Sequence, residues 1–108
     1  MERFGERFLK RCFTSREIAY CQSKANAAER FAARFAAKEA AMKALGTGLS
    51  RGLSWQHLEV DHAPGGRPVL KLSGRAAEIA RALGVERSHL SITHTAEQAM
   101  AFVILEKD

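Results

Sequence analysis

Four charged side chains fall within one ten-residue stretch: Arg34, Lys38, Glu39 and Lys43. Glu39 and Lys43 have the i,i+4 spacing of an ordinary surface ion pair, worth about 0.2–0.5 kcal/mol, with Arg34 and Lys38 free to snorkel to water. The same carboxylate and lysines would also suit a divalent cation and a phosphate. The segment that carries them decides between these uses. Projected at about 100° per residue, residues 27–45 place Phe31, Phe35, Met42 and Leu45 on one arc and an alanine-rich arc (Ala32, Ala33, Ala36, Ala37, Ala40, Ala44) opposite. Neither arc is polar, and a helix apolar nearly all round is a buried one. Lys38 projects into the phenylalanine arc, Glu39 and Arg34 lie at its edges, and Lys43 sits beside Glu39 one turn on. Burying such groups unpaired costs on the order of several kcal/mol each, so they must meet each other, water, a metal ion or a bound anion. Surface pairing needs a surface. The cluster is therefore read as a site, expected to be held out of bulk water.

The elements around it follow from capping and turn residues. Thr14 with Glu17 has the form of a capping box and predicts a short helix running toward Ser23. Asn26 and Glu29 open the long helix at about Ala27 to Leu45, and Gly46 and Gly48 close it. The Gly46-Thr47-Gly48 turn would let backbone approach a phosphate, though a glycine C-cap explains one of the glycines by itself. Leu53–Val60 reads as a strand that pairs with Val69–Leu72 across the turn residues 63–68. Ser73 can cap a third helix ending at Gly84, and Leu90–Thr93 and Ala99–Leu105 read as two further strands. The fold class is α+β: a long central helix and shorter helices packed on a small antiparallel sheet, forming one domain over residues 1–108. His94, at a strand end, would by itself be read as satisfied by a backbone carbonyl. His57, His62 and His89 are read as structural, with His62 in a turn, and Trp55 as packing.

Seventeen Lys and Arg against twelve Asp and Glu give +5, crowded into the first third of the chain, so an anionic partner is expected: nucleic acid, a phosphorylated small molecule or an acidic protein. The chain shows no apolar run long enough to span a bilayer and no apolar leader, and a cytoplasmic protein is expected. Cys12 and Cys21 have neither CxxC spacing nor a nearby histidine and are expected as buried or half-buried thiols.

The run Arg34-Phe35-Ala36-Ala37-Lys38-Glu39-Ala40-Ala41-Met42-Lys43-Ala44-Leu45-Gly46-Thr47-Gly48 closely resembles the signature helix of holo-acyl carrier protein synthases. Phe13-Thr14 with Glu17 and Tyr20, Leu53 to Gln56 with Leu58 to Val60, and Ser91-Ile92-Thr93-His94-Thr95 follow the same family's order, so the similarity covers essentially the whole chain. The resemblance implies a phosphopantetheinyl transferase-like fold and transfer of phosphopantetheine from coenzyme A to a serine of apo-acyl carrier protein, leaving adenosine 3′,5′-bisphosphate. It implies Mg²⁺ held by Glu39, phosphates met by Lys43, and the nucleotide part of coenzyme A held by Arg34, by Gly46 and Thr47 and, from a neighbouring subunit of a homotrimer, by Arg67, Pro68 and His94. It also implies that a basic first helix docks the acidic carrier, a role open to Arg3, Arg7, Lys10 and Arg11, and a place in fatty acid biosynthesis.

One departure bears on the metal. The family opens with a strand of the form G-x-G-x-D-[IL] whose aspartate is the second ligand, and this chain begins at Met1-Glu2-Arg3-Phe4, past that segment. With Asp61 placed in a turn and Asp108 at the terminus, weak Mg²⁺ binding and little activity are expected of the chain as it stands. Two other readings stay open: a catalytically silent homolog, and a basic nucleic-acid-binding module. Against the latter, the sequence has no RNP-like aromatic string, GXXG loop or zinc spacing.

Overall fold

The computed structural model describes residues 5–46, 52–95 and 98–107. Three helices come first: α1 (Glu6–Cys12), α2 (Ser15–Gln22) and α3 (Ala27–Ala44). A single 3-10 turn, Trp55–His57, leads into β1 (Leu58–His62), which is followed by β2 (Pro68–Leu72), α4 (Gly74–Ala82), β3 (Val85–His94) and β4 (Ala99–Lys107). The expected class holds. The sheet, however, consists of two separate antiparallel hairpins, β1–β2 and β3–β4, with β2 lying beside β3 but outside its hydrogen-bond ladder. The expected strand at Leu53–Val60 begins only at Leu58, because Ser54 accepts from the Gln56 amide and turns Trp55–His57 into a 3-10 helix.

Thr14 forms the capping box in full: its hydroxyl accepts from the Glu17 amide at 3.2 Å, and the Glu17 carboxylate accepts from the Thr14 amide at 2.9 Å. Gly46, at φ 76°, ends α3 in the left-handed region that glycine tolerates. Gly74 is required for a different reason: a Cβ there would stand 2.7 Å from His57 Nε2, at a φ of +51°.

α3 is the spine. Its C-terminal half packs Ala41, Met42 and Leu45 against Leu58 and the Ile79 face of α4, while its N-terminal half packs Phe31 against Phe13, Leu9 and Cys21. Trp55 bridges the two clusters and stacks on Phe35 with ring centroids 4.8 Å apart. No described helix is long and apolar enough to cross a membrane.

Candidate active site

α3 has a water face after all. Ala33, Ala37 and Ala41 form a buried ridge, but Glu39, Lys43 and Ala44 are exposed, and neither Glu39 nor Lys43 has an ion-pair partner among the described residues. The expectation that carboxylate 39 is held out of bulk water is thereby corrected for the single chain. Alanine carries too little apolar surface for its pattern to report burial, which is why the wheel misled.

The other two charges behave oppositely. Lys38 does not snorkel: it is 0% exposed, and its Nζ lies 2.6 Å from Glu17 Oε1 and donates to the Trp55 carbonyl at 3.1 Å. Burial pushes the Lys38 ammonium below the ordinary lysine range, and the adjoining Glu17 carboxylate pulls it partly back. The second oxygen of Glu17 accepts from the Val60 amide at 2.8 Å. Thr14, whose hydroxyl donates to Glu59 at 2.6 Å, extends the network to β1.

Arg34 is 4% exposed, and its guanidinium lies 4.4 Å from the centre of the Tyr20 ring. Its Nη2 donates to His62 Nε2 at 3.2 Å, and its Nε is a buried donor without a partner. Arg30 donates to the Tyr20 hydroxyl at 3.0 Å, and Lys24 stands over the same ring at 5.0 Å. Among the described residues none of these three cations is paired with a carboxylate. Asp61, the nearest acid in sequence to His62, is taken by Lys71 at 3.0 Å and Arg16 at 3.2 Å. Its carboxyl is held below the usual range first by the His62 backbone amide and then by Lys71. Asp61 thus lies in β1, not in a turn. His62, read from the sequence as structural, also lies in β1, stacks on Tyr20 at 4.6 Å and belongs to this cluster. The missed signal was two basic or aromatic pairs at helical spacing, Tyr20 with Lys24 and Arg30 with Arg34.

The remaining predicted residues divide. Register pairs the half-buried Pro68 with His62, and the exposed Arg67 precedes it in the turn before β2. His94 meets the Glu29 carboxylate at 2.7 Å, which replaces the expected backbone carbonyl. Gly46 is exposed just past α3, whereas Thr47, Gly48 and Arg3 lie outside the described residues. Arg7, Lys10 and Arg11 are exposed on α1, Lys10 pairing with Glu6 at 3.1 Å. Cys12 and Cys21 are free and buried, and burial pushes their thiols up, that of Cys21 to about 11, which favours the thiol over the thiolate.

The described residues contain no group of three or more His, Cys, Asp or Glu able to enclose a metal ion. The other mode open to Mg²⁺, one carboxylate with the remaining positions filled by water and substrate phosphate, asks for an open carboxylate, and the exposed Glu39 is chemically suited to it. The arrangement along α3 is thus a cationic end at Arg34 with an unsatisfied donor, and an open carboxylate with a lysine at Glu39 and Lys43. Residues 1–103 match the family model of the 4′-phosphopantetheinyl transferase superfamily.

The chain belongs to that superfamily.

Curated relatives agree. A holo-[acyl-carrier-protein] synthase of Koribacter versatilis is 60% identical over 98% of this chain and 85% of the relative, and one of Solibacter usitatus is 57% identical over the same shares. Among solved structures, the holo-[acyl-carrier-protein] synthase of Neisseria meningitidis superposes with a TM-score of 0.87 at 30% identity, covering 98% of this transferase and 85% of that chain. The Helicobacter pylori synthase, solved in complex with coenzyme A, gives 0.81 at 31% identity, covering 97% and 86%.

Proposed function

We propose that this transferase moves the phosphopantetheine arm of coenzyme A onto a serine of an acyl carrier protein, releasing adenosine 3′,5′-bisphosphate. What supports the reading most directly is Arg34: a buried guanidinium with an orphan Nε, set among Lys24, Arg30 and His62 with no paired carboxylate among the described residues. Such a cluster awaits an anion, and a nucleotide phosphate satisfies it. Arg67, Pro68 and His94 are assigned to the same nucleotide, as are Gly46 and Thr47.

Glu39 and Lys43 lie about 7 and 14 Å further along α3 at 1.5 Å per residue. There the pyrophosphate would cross them, with Glu39 as the protein ligand of Mg²⁺. When bound, that ion supplies charge neutralisation on the pyrophosphate. Lys43 places a cation where negative charge grows on the departing bisphosphate, and Glu39 fixes the position of the reacting end. The carrier serine attacks the phosphorus bearing the pantetheine arm, giving up its proton through a water to Glu39, and the bond from that phosphorus to the bridging oxygen breaks. Arg7, Lys10 and Arg11 on α1 present a basic face to an acidic carrier.

The exposed positions of Glu39 and Lys43 accord with a site completed by another copy of the chain in a homotrimer. Met100, Phe102 and Ile104, each more than half exposed, form an apolar row on β4 suited to that contact. A cytoplasmic setting and a role in fatty acid biosynthesis go with this reading.

Incubation with coenzyme A, Mg²⁺ and apo-carrier protein, followed by weighing the carrier, tests it. A mass gain of one phosphopantetheine is expected; an unchanged carrier, with coenzyme A bound, would instead select the silent homolog.

A further inference from the structure

We infer that the buried pair Lys38–Glu17 is a positioning device for the reaction, setting the rotation of α3 about its axis so that Glu39 and Lys43 face the reacting phosphates. This rests on the assignment of Glu39 and Lys43 to the reacting end.

Lys38 and Glu39 are adjacent on one helix, so the azimuth of the first fixes that of the second, about 100° away, and of Lys43 one turn beyond. The azimuth of Lys38 is in turn over-determined. Its ammonium is held by Glu17 of α2 at 2.6 Å and by the Trp55 carbonyl of the 3-10 turn at 3.1 Å, with the Phe13 ring 5.2 Å away. Glu17 is itself pinned from both sides, by the Thr14 amide at 2.9 Å and the Val60 amide of β1 at 2.8 Å. Four separate elements therefore converge on one nitrogen and one carboxylate, and both side chains are 0% exposed.

Stability does not account for such a pair. Exchanging a buried ion pair for apolar groups of similar volume is often neutral or favourable, since desolvation offsets the Coulomb attraction. Phe31 and Met42 hold α3 against any large rotation, but the buried ridge of Ala33, Ala37 and Ala41 between them adds little against a turn of a few degrees. An ion pair with directional hydrogen bonds does not permit that turn. Neither residue touches solvent, so both act through Glu39 and Lys43 and never on the substrate itself.

The test is the charge-free pair Glu17→Gln with Lys38→Met, in which Gln keeps an acceptor oxygen for one of the two amides and Met keeps the lysine stem. Transfer is measured per folded molecule, well below the midpoint of thermal unfolding, beside Glu39→Gln. The paired variant is expected to fold, to keep its KM for coenzyme A within about threefold, and to lose kcat by roughly tenfold to a hundredfold, as a displacement of about 1 Å does in other enzymes. A merely structural role would leave kcat per folded molecule at the wild-type value, and that result, with Glu39→Gln inactive, overturns the inference. Full activity of Glu39→Gln would instead sink the assignment on which it rests. Should the paired variant fail to fold, Glu17→Asp, which keeps the charge but draws the carboxylate back by one methylene, carries the same expectation, and an unchanged kcat there overturns it equally.

Discussion

Arg34 Nη2 donates to His62 Nε2 across 3.2 Å, joining α3 to the end of β1 over 28 positions of sequence. A guanidinium only donates, so Nε2 must be the bare acceptor nitrogen and His62 a neutral ring with its proton on Nδ1. Burial and then the Arg34 charge push His62 below the ordinary histidine range, in keeping with that geometry.

The sign of the stability effect follows. The unfolded chain binds a proton at His62 near pH 6.5 and the folded chain only at lower pH, so between these values the unfolded state holds more protons and stability rises with pH. Stability from His62 is present above about pH 6.5 and is lost as pH falls through the folded value. Denaturant unfolding at about pH 7.5 and pH 5 is expected to show a steeper loss for wild type than for His62→Gln, whose amide oxygen can still accept from Arg34. Equal losses would contradict the neutral assignment.

Arg34 itself tests the anion cluster. Replacement by Lys keeps the charge but not the planar fork, the stacking on Tyr20 or the orphan Nε. The expected result is a rise in KM for coenzyme A of about tenfold, the worth of one charge-assisted hydrogen bond, with kcat at saturation little changed. A matching rise in KM for the carrier protein, with none for coenzyme A, would place Arg34 elsewhere in the reaction.

How far this site was legible in the sequence differs from residue to residue. The capping box of Thr14 and Glu17 is local, and it formed as read. That Glu17 would also take Lys38 and the Val60 amide was not legible, because those partners are brought in by packing over 21 and 43 positions and no short motif encodes them. Glu39 was singled out for a reason that the structure does not bear out: the alanines that suggested burial flank an open stripe. His62 was missed because the turn signal of Pro64, Gly65 and Gly66 drew the boundary of β1 too early, whereas the ladder runs on to the pairing of His62 with Pro68. The outer strands were read too short, since β3 begins at Val85 with an irregularity in its register between Val85 and Arg87 that breaks the alternation.

Because Glu39 and Lys43 are exposed and unpaired among the described residues, changing them should spare the fold. Glu39→Gln and Lys43→Met are each expected to shift stability by no more than about 0.5 kcal/mol. Loss of a group aimed at developing charge lowers turnover by roughly a hundredfold or more. Parallel thermal melts and carrier-mass assays check both halves of the statement. Lost activity with an unchanged melting curve supports the assignment, and full activity in both variants removes these residues from the chemistry.

The outer face of the β3–β4 hairpin carries the last prediction. Register sets Met100 opposite Thr93, Phe102 opposite Ser91 and Ile104 opposite His89, so the three large apolar side chains form an unbroken row on the side away from α3, with Phe102 65% exposed. The inward positions, including Val103 and Leu105, pack against the core, so the hairpin does not need its outer row in order to fold. Burying that row in an assembly removes apolar surface from water at about 25 cal/mol per Å². Placing a lysine at Phe102 would force a charge into the contact. Wild type is expected to scatter light as three chains of 11.9 kDa, and Phe102→Lys as one, with helix content retained and transfer reduced because the neighbouring chain no longer completes the site. A wild-type protein that scatters as a single chain yet transfers at full rate would show that one copy holds the whole site, and the exposure of Glu39 would then be that of the working enzyme.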